Sequence, residues 1–150
     1  MLRIHRLARP AVALAIILTG TLVASAQRSR PILPRWEGDL ITAQFVEVRD
    51  RSGQVLLHGA LATTKDTPKE IEREADLANP SGQPGKGDVE IGIDRKDGVV
   101  KETEIEIEVK DLPAGLGCEV FIDGRAVGSL VTSKKGKGEL ELEWKATGGR

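Results

Sequence analysis

Tyrosine is missing from this 150-residue chain, and Trp36, Phe45, Phe121 and Trp144 are its only aromatic side chains. Surfaces that stack nucleic-acid bases are built from such rings, so a stacking platform has almost nothing to draw on. Sugar platforms face the same shortage. Cysteine occurs once, at Cys118, which excludes an intrachain disulfide and leaves stability to the packed core. That lone thiol reads either as a small buried hydrophobe or as the site of an intermolecular bridge. Histidine occurs only at His5 and His58. If His5 is removed with a leader, no single chain can assemble a multi-histidine metal site or a relay through two histidines.

What is present begins with an export signal. Arg3, Arg6 and Arg9 form a positive head, Ala11 to Ala24 carries no charge, and Ala24-Ser25-Ala26 places small residues at the two positions a signal peptidase recognises. Ala24 and Ala26 are therefore the expected recognition residues, with cleavage before Gln27. A membrane-spanning helix needs about 20 apolar residues, and this run is shorter and interrupted by Thr19, Gly20 and Thr21. Cleavage predicts a secreted or periplasmic protein with no membrane span after the leader. Three of the 22 basic residues and none of the 23 acidic ones lie in residues 1–26, which leaves 19 against 23 in the mature part. An excess of acid argues against nucleic acid or anionic lipid as the main partner, because both call for a basic surface.

Residues 27–39 contain two prolines and no periodicity, as expected of a lead-in segment or linker. From residue 40 to residue 147, runs of Val, Ile and Leu recur between clusters of Gly, Pro and Asp. That spacing predicts one all-β domain, an antiparallel β-sandwich of Ig-like or Greek-key type with about 7–8 strands. Side chains alternate across a strand, so in Glu102 to Lys110 the residues Thr103, Ile105, Ile107 and Val109 face inward and the glutamates face water. Glu139 to Trp144 and Asp88 to Asp94 repeat the arrangement. Lys69 to Ala78 fits a helical stripe or a strand with Ile71, Arg73, Ala75 and Leu77 on one face; the strand agrees with the rest of the pattern. Asp123-Gly124 predicts a tight hairpin, and Asp50 to Gln54 a longer turn. Asn79 precedes Pro80, which marks a turn and excludes glycosylation there.

GKGDVEI at Gly85 and GKGELEL at Gly136 match by residue class, 51 positions apart. Either an internal repeat or chance similarity among short strands accounts for the match. The run LPAGLGCEVFIDGRAVGSLVTSKKGKGELELEW, from Leu112 to Trp144, resembles a pattern in uncharacterised secreted bacterial β-sandwich proteins: LPAG, a DG turn, VG and a glycine-containing loop into an acidic strand. That resemblance implies an exported sandwich and brings no catalytic residues.

Catalytic readings find little support. His58 would have to serve as base for Ser52, Ser81, Ser129 or Ser133, none of which sits in a nucleophile-elbow context. A phosphate loop requires G-x-x-x-x-G-K-[ST] opening a helix, whereas both GKG loops lead into Asp88 or Glu139 and a strand. The expected function is a non-catalytic module that binds another envelope or extracellular protein, with no cofactor, no catalytic residues and no metal ligands assigned. An alternative is a Ca²⁺-responsive module in which the Glu ladders of adjacent strands gather the six to eight oxygens that ion takes. An enzyme centred on His58 is the third reading.

Overall fold

A computed structural model describes residues 39–145; the expected leader, with Ala24 and Ala26, lies outside them. Among the described residues nine strands follow in chain order: β1 (Phe45–Asp50), β2 (Val55–Ala60), β3 (Ala62–Asp66), β4 (Glu70–Ala78), β5 (Lys86–Lys96), β6 (Val99–Lys110), β7 (Gly117–Ile122), β8 (Arg125–Val131) and β9 (Gly138–Lys145). All pairings are antiparallel, in the order β8-β7-β1-β2-β4-β5-β6-β9, with β3 on the side of β4. No helix occurs among the described residues, so none is long and apolar enough to cross a membrane.

The alternation expected from the sequence is present. Ile105, Ile107 and Val109 of β6 are fully buried, as are Val46, Val48, Leu57, Ile91, Val120 and Ile122 from neighbouring strands. Burying each such side chain stabilises the fold by about 1.5–3 kcal/mol. Of the segment Lys69 to Ala78, Glu70–Ala78 is the strand β4, with Ile71, Arg73, Ala75 and Leu77 all inward, and Lys69 lies just before it. Asp123 and Gly124 both take positive φ, 47° and 76°, as a two-residue hairpin turn requires, and Asp97-Gly98 makes a second turn of the same kind.

Strand pairing runs through one sheet that curls into a nearly closed barrel. Its ladder is thinnest between β2 and β4, where His58 opposite Ala78 is the single aligned pair. The remaining gap lies between β8 and β9, which are joined by a tight turn (Ser133 N to Lys137 O, 2.7 Å) but then diverge to pair with β7 and β6. Side chains cross that gap: a methyl group built on Gly138 would fall 2.7 Å from Leu130 Cδ1, and one on Gly128 2.9 Å from Leu140 Cδ2. The ninth strand arises because the run 55–66 breaks at Leu61, whose amide donates to Gln44 O at 2.8 Å. Before the break the chain pairs with β1 and touches β4 only at His58; after it, the chain pairs with β4. Such a bend is how a strand passes from one layer of β-structure to another.

Both ends of the barrel are plugged. At one end Leu112 is 6% exposed and is held between the two GKG loops. Its amide donates to Gly136 O at 3.2 Å, and a Cβ on Gly136 would lie 2.1 Å from Leu112 O, one on Gly85 2.9 Å from Leu112 Cδ2. At the other end the turn at residues 40–42 is fastened by Arg73. The guanidinium is buried and donates to Leu40 O, Ile41 O and Leu61 O at 3.0, 2.9 and 3.3 Å.

Candidate functional site: an acidic sheet face

The outward face of β4, β5, β6 and β9 carries the densest chemistry among the described residues. Register aligns Glu74, Glu90, Glu106 and Glu141 in one row across the four strands. Asp76, Asp88, Glu108 and Glu139 form the next row, and Glu72, Glu104 and Glu143 stand with Gly92 in a third. Directly opposed side chains on neighbouring strands have Cβ atoms about 4.5–5.5 Å apart, a spacing at which like charges repel. An exposed sheet that keeps such rows sacrifices stability.

Cations sit around the rim. Lys65 reaches Glu70 at 2.6 Å and Glu72 at 2.8 Å; Lys110 reaches Glu108 at 2.7 Å and Asp88 at 3.5 Å; Lys145 reaches Glu143 at 3.0 Å and Glu102 at 3.1 Å. Among the described residues no ion pair within 4 Å reaches Glu74, Glu90, Glu106 or Glu141. The central row is thus negative with no local counter-charge.

Glu106 shows the consequence. Desolvation on the crowded face raises its pKa, and the charges of Glu139, Glu108, Glu90 and Glu104 add to the rise. Glu108 moves the opposite way, because the Lys110 ammonium hydrogen-bonds its carboxylate. A carboxyl whose folded-state pKa lies above its unfolded value adds stability at low pH, and that contribution is lost as pH rises through the folded-state pKa. Glu106→Gln is therefore expected to melt at a higher temperature than the wild type at pH 7, with the gap closing below about pH 4, where Glu is protonated in both states. Thermal melts across this range measure it; a variant no more stable than wild type at pH 7 would contradict the repulsion.

The glutamates do not converge into a chelating cluster: among the described residues no three His, Cys, Asp or Glu side chains could share a metal ion. They alternate along the strands and spread in rows, each aimed at solvent. The strands Glu102 to Lys110 and Glu139 to Trp144, singled out in the sequence, do lie side by side. What the sequence reading did not reach is that β4 and β5 extend the same rows with Glu74, Asp76, Asp88 and Glu90.

The other candidates are scattered. His58 is exposed on β2, its ring 5.8 Å from that of Phe45. Nearby, the Arg49 guanidinium stacks 4.4 Å from the centre of Phe121 and pairs with Glu47. Ser52 gives its hydroxyl to Asp50 at 2.6 Å and Ser81 gives its hydroxyl to Asn79 at 2.7 Å, both in turns. Ser133 accepts from the amides of Lys135 and Lys137, and Ser129 is exposed on β8. Cys118 is buried, and burial followed by the charge of Asp50 pushes its thiol pKa up, away from the reactive thiolate. A shallow depression of about 290 Å³ is lined by Asp50, Arg51, Ser52, Gly115, Leu116 and Gly117. Its one carboxylate is committed to the turn, accepting from the Ser52 and Gln54 amides at 2.8 and 3.0 Å.

Comparison of the chain with protein-family models, with curated proteins and with solved structures gave no match.

Proposed function

We propose that this protein is an exported, non-catalytic binding module whose working surface is the acidic face of β4, β5, β6 and β9. The observation that carries the reading is the central row Glu74, Glu90, Glu106 and Glu141, which keeps four aligned carboxylates without a local cation at a cost in stability. Retained repulsion of this kind is relieved when a basic surface is laid over it, and charge complementarity steers and selects such a partner. The partner class is a protein with a lysine- or arginine-rich surface, in the periplasm or outside the cell. The export signal in residues 1–26 supports that location.

The barrel is flattened in this reading into two layers, β8-β7-β1-β2 and β3-β4-β5-β6-β9, in the manner of a sandwich. The one-pair seam between β2 and β4 and the β8–β9 turn would be its two corners. The acidic face is then the whole outer surface of one layer.

Capture of envelope and culture-medium proteins by the immobilised mature domain tests the assignment. Wild-type protein is expected to retain a partner that Glu90→Gln/Glu106→Gln/Glu141→Gln does not, with retention lost at high salt. Equal capture by both forms would remove the acidic face from the function. Turnover of a substrate by the purified domain, abolished by one point substitution, would overturn the non-catalytic reading.

A further inference from the structure

The acidic face ends abruptly in lysines, and the GKG loops are responsible. Gly85 and Gly136 have φ of 134° and 71°, and each lets its loop press against Leu112 where a Cβ would clash. The two loops are thereby set on either side of the end of β6. Lys86 pairs in register with Lys110, and Lys137, one position before the partner of Val109, falls across from Lys110 on the other side. Lys86, Lys110 and Lys137 continue the outward face as a row of cations, one step beyond Asp88, Glu108 and Glu139. That register puts Lys137 on the same face as Glu108, whose pKa its charge helps Lys110 to lower. Beyond the row, Lys134 and Lys135 are exposed on the β8–β9 turn, and among the described residues neither they nor Lys137 make an ion pair within 4 Å.

We propose that this end of the face is a two-fold self-association surface, on which the lysines of one copy meet the carboxylate rows of a second. The proposal rests on the binding-module reading and names its basic partner. Outward rows are spaced by two residues, about 6.8 Å. A two-fold axis running along the rows, between the lysine row and the first carboxylate row, exchanges those two rows between copies. The same operation keeps each residue over its own strand, so Lys135, one outward row before Lys137 at the β9 edge, comes over Glu141 of the central row, with Lys134 beside it. Moving the axis one row further along the strands would still set the lysine row over Glu72, Glu104 and Glu143 but would lay the two fully acidic rows on each other, so charge favours the first register. Such a contact is isologous and closes at a dimer. It is made of exposed ion pairs without an apolar centre, so it is weak and screened by salt.

Sedimentation velocity on the mature protein over a range of concentrations tests this. Dimer is expected at about 20 mM salt, with dissociation at least about ten-fold easier at about 500 mM. K135E/K137E and E139K/E141K, all at exposed positions, should each be monomeric, and mixing them should restore the dimer because each then supplies the charge the other has lost. A wild type that stays monomeric at low salt, or a mixture that does not associate, overturns the proposal. Flotation with phosphatidylglycerol vesicles provides a further arm: monomeric protein that binds them through Lys134 and Lys135 would assign the lysines to anionic lipid instead. Failure here, with envelope capture still dependent on Glu90, Glu106 and Glu141, would leave the binding-module reading standing with a different partner; failure of both removes it.

Discussion

Arg73→Met is expected to lower the stability of the domain by about 3 kcal/mol, and its melting temperature by roughly 12–20 °C for a domain of this size. Arg73 is 6% exposed, and the hydrogen bonds its guanidinium makes go to three backbone carbonyls, those of Leu40, Ile41 and Leu61. Burying a cation without a carboxylate is costly. The planar fork offsets that cost by reaching the turn at residues 40–42 and the break between β2 and β3 at once. Methionine keeps much of the stem but no donor, and takes this donor from the buried carbonyls of Leu40 and Leu61 and the part-buried one of Ile41, at about 1–3 kcal/mol for each full loss of a buried bond. Removing the buried charge, whose Nε has no partner, returns part of this. Arg73→Lys should recover only part of the loss, since one ammonium cannot span the turn and the break together. Urea and thermal denaturation measure both variants. An unchanged midpoint for Arg73→Met would show that the turn at residues 40–42 is held by Leu40 and Ala43 alone.

Gly136→Ala should be comparably damaging, at about 3–4 kcal/mol, from two sources that a control separates. The residue has φ of 71°, which costs an L-residue roughly 1–2 kcal/mol. Its Cβ would also lie 2.1 Å from Leu112 O, so the β8–β9 turn must move away from the plug, a rearrangement of about 1–3 kcal/mol. Gly124 has φ of 76° with nothing within 4 Å of a built Cβ. Gly124→Ala should therefore cost only about 1 kcal/mol, the backbone part alone. Equal losses at the two positions in denaturant melts would show that the turn yields freely and that Leu112 is not clamped.

The same contact explains why the GKG loops were hard to read from sequence. Glycine flanking lysine suggested an anion cradle, and the following Asp88 or Glu139 argued against one. Neither consideration reveals that both loops converge on Leu112, which is remote from both in sequence and meets them because β5 and β9 flank β6. Arg73 is a parallel case. Its place on the inward face of a strand was legible from the spacing of Ile71, Ala75 and Leu77, while its partners, 12 to 33 positions away, were not.

The sequence determined by itself which residues turn inward. A period of two is local, set by the pleat of each strand, and so the buried sets of β4, β5, β6 and β9 and the turn at Asp123-Gly124 follow from the order of residues alone. It also determined the tools available for chemistry: one histidine beyond residues 1–26, one cysteine and a surplus of carboxylates. Tertiary structure alone decided which strands are neighbours, because pairing joins segments far apart in the chain and periodicity carries no information about partners. Strand order turned isolated glutamate ladders into aligned rows across four strands, and register placed the lysines of three separate segments at one end of them.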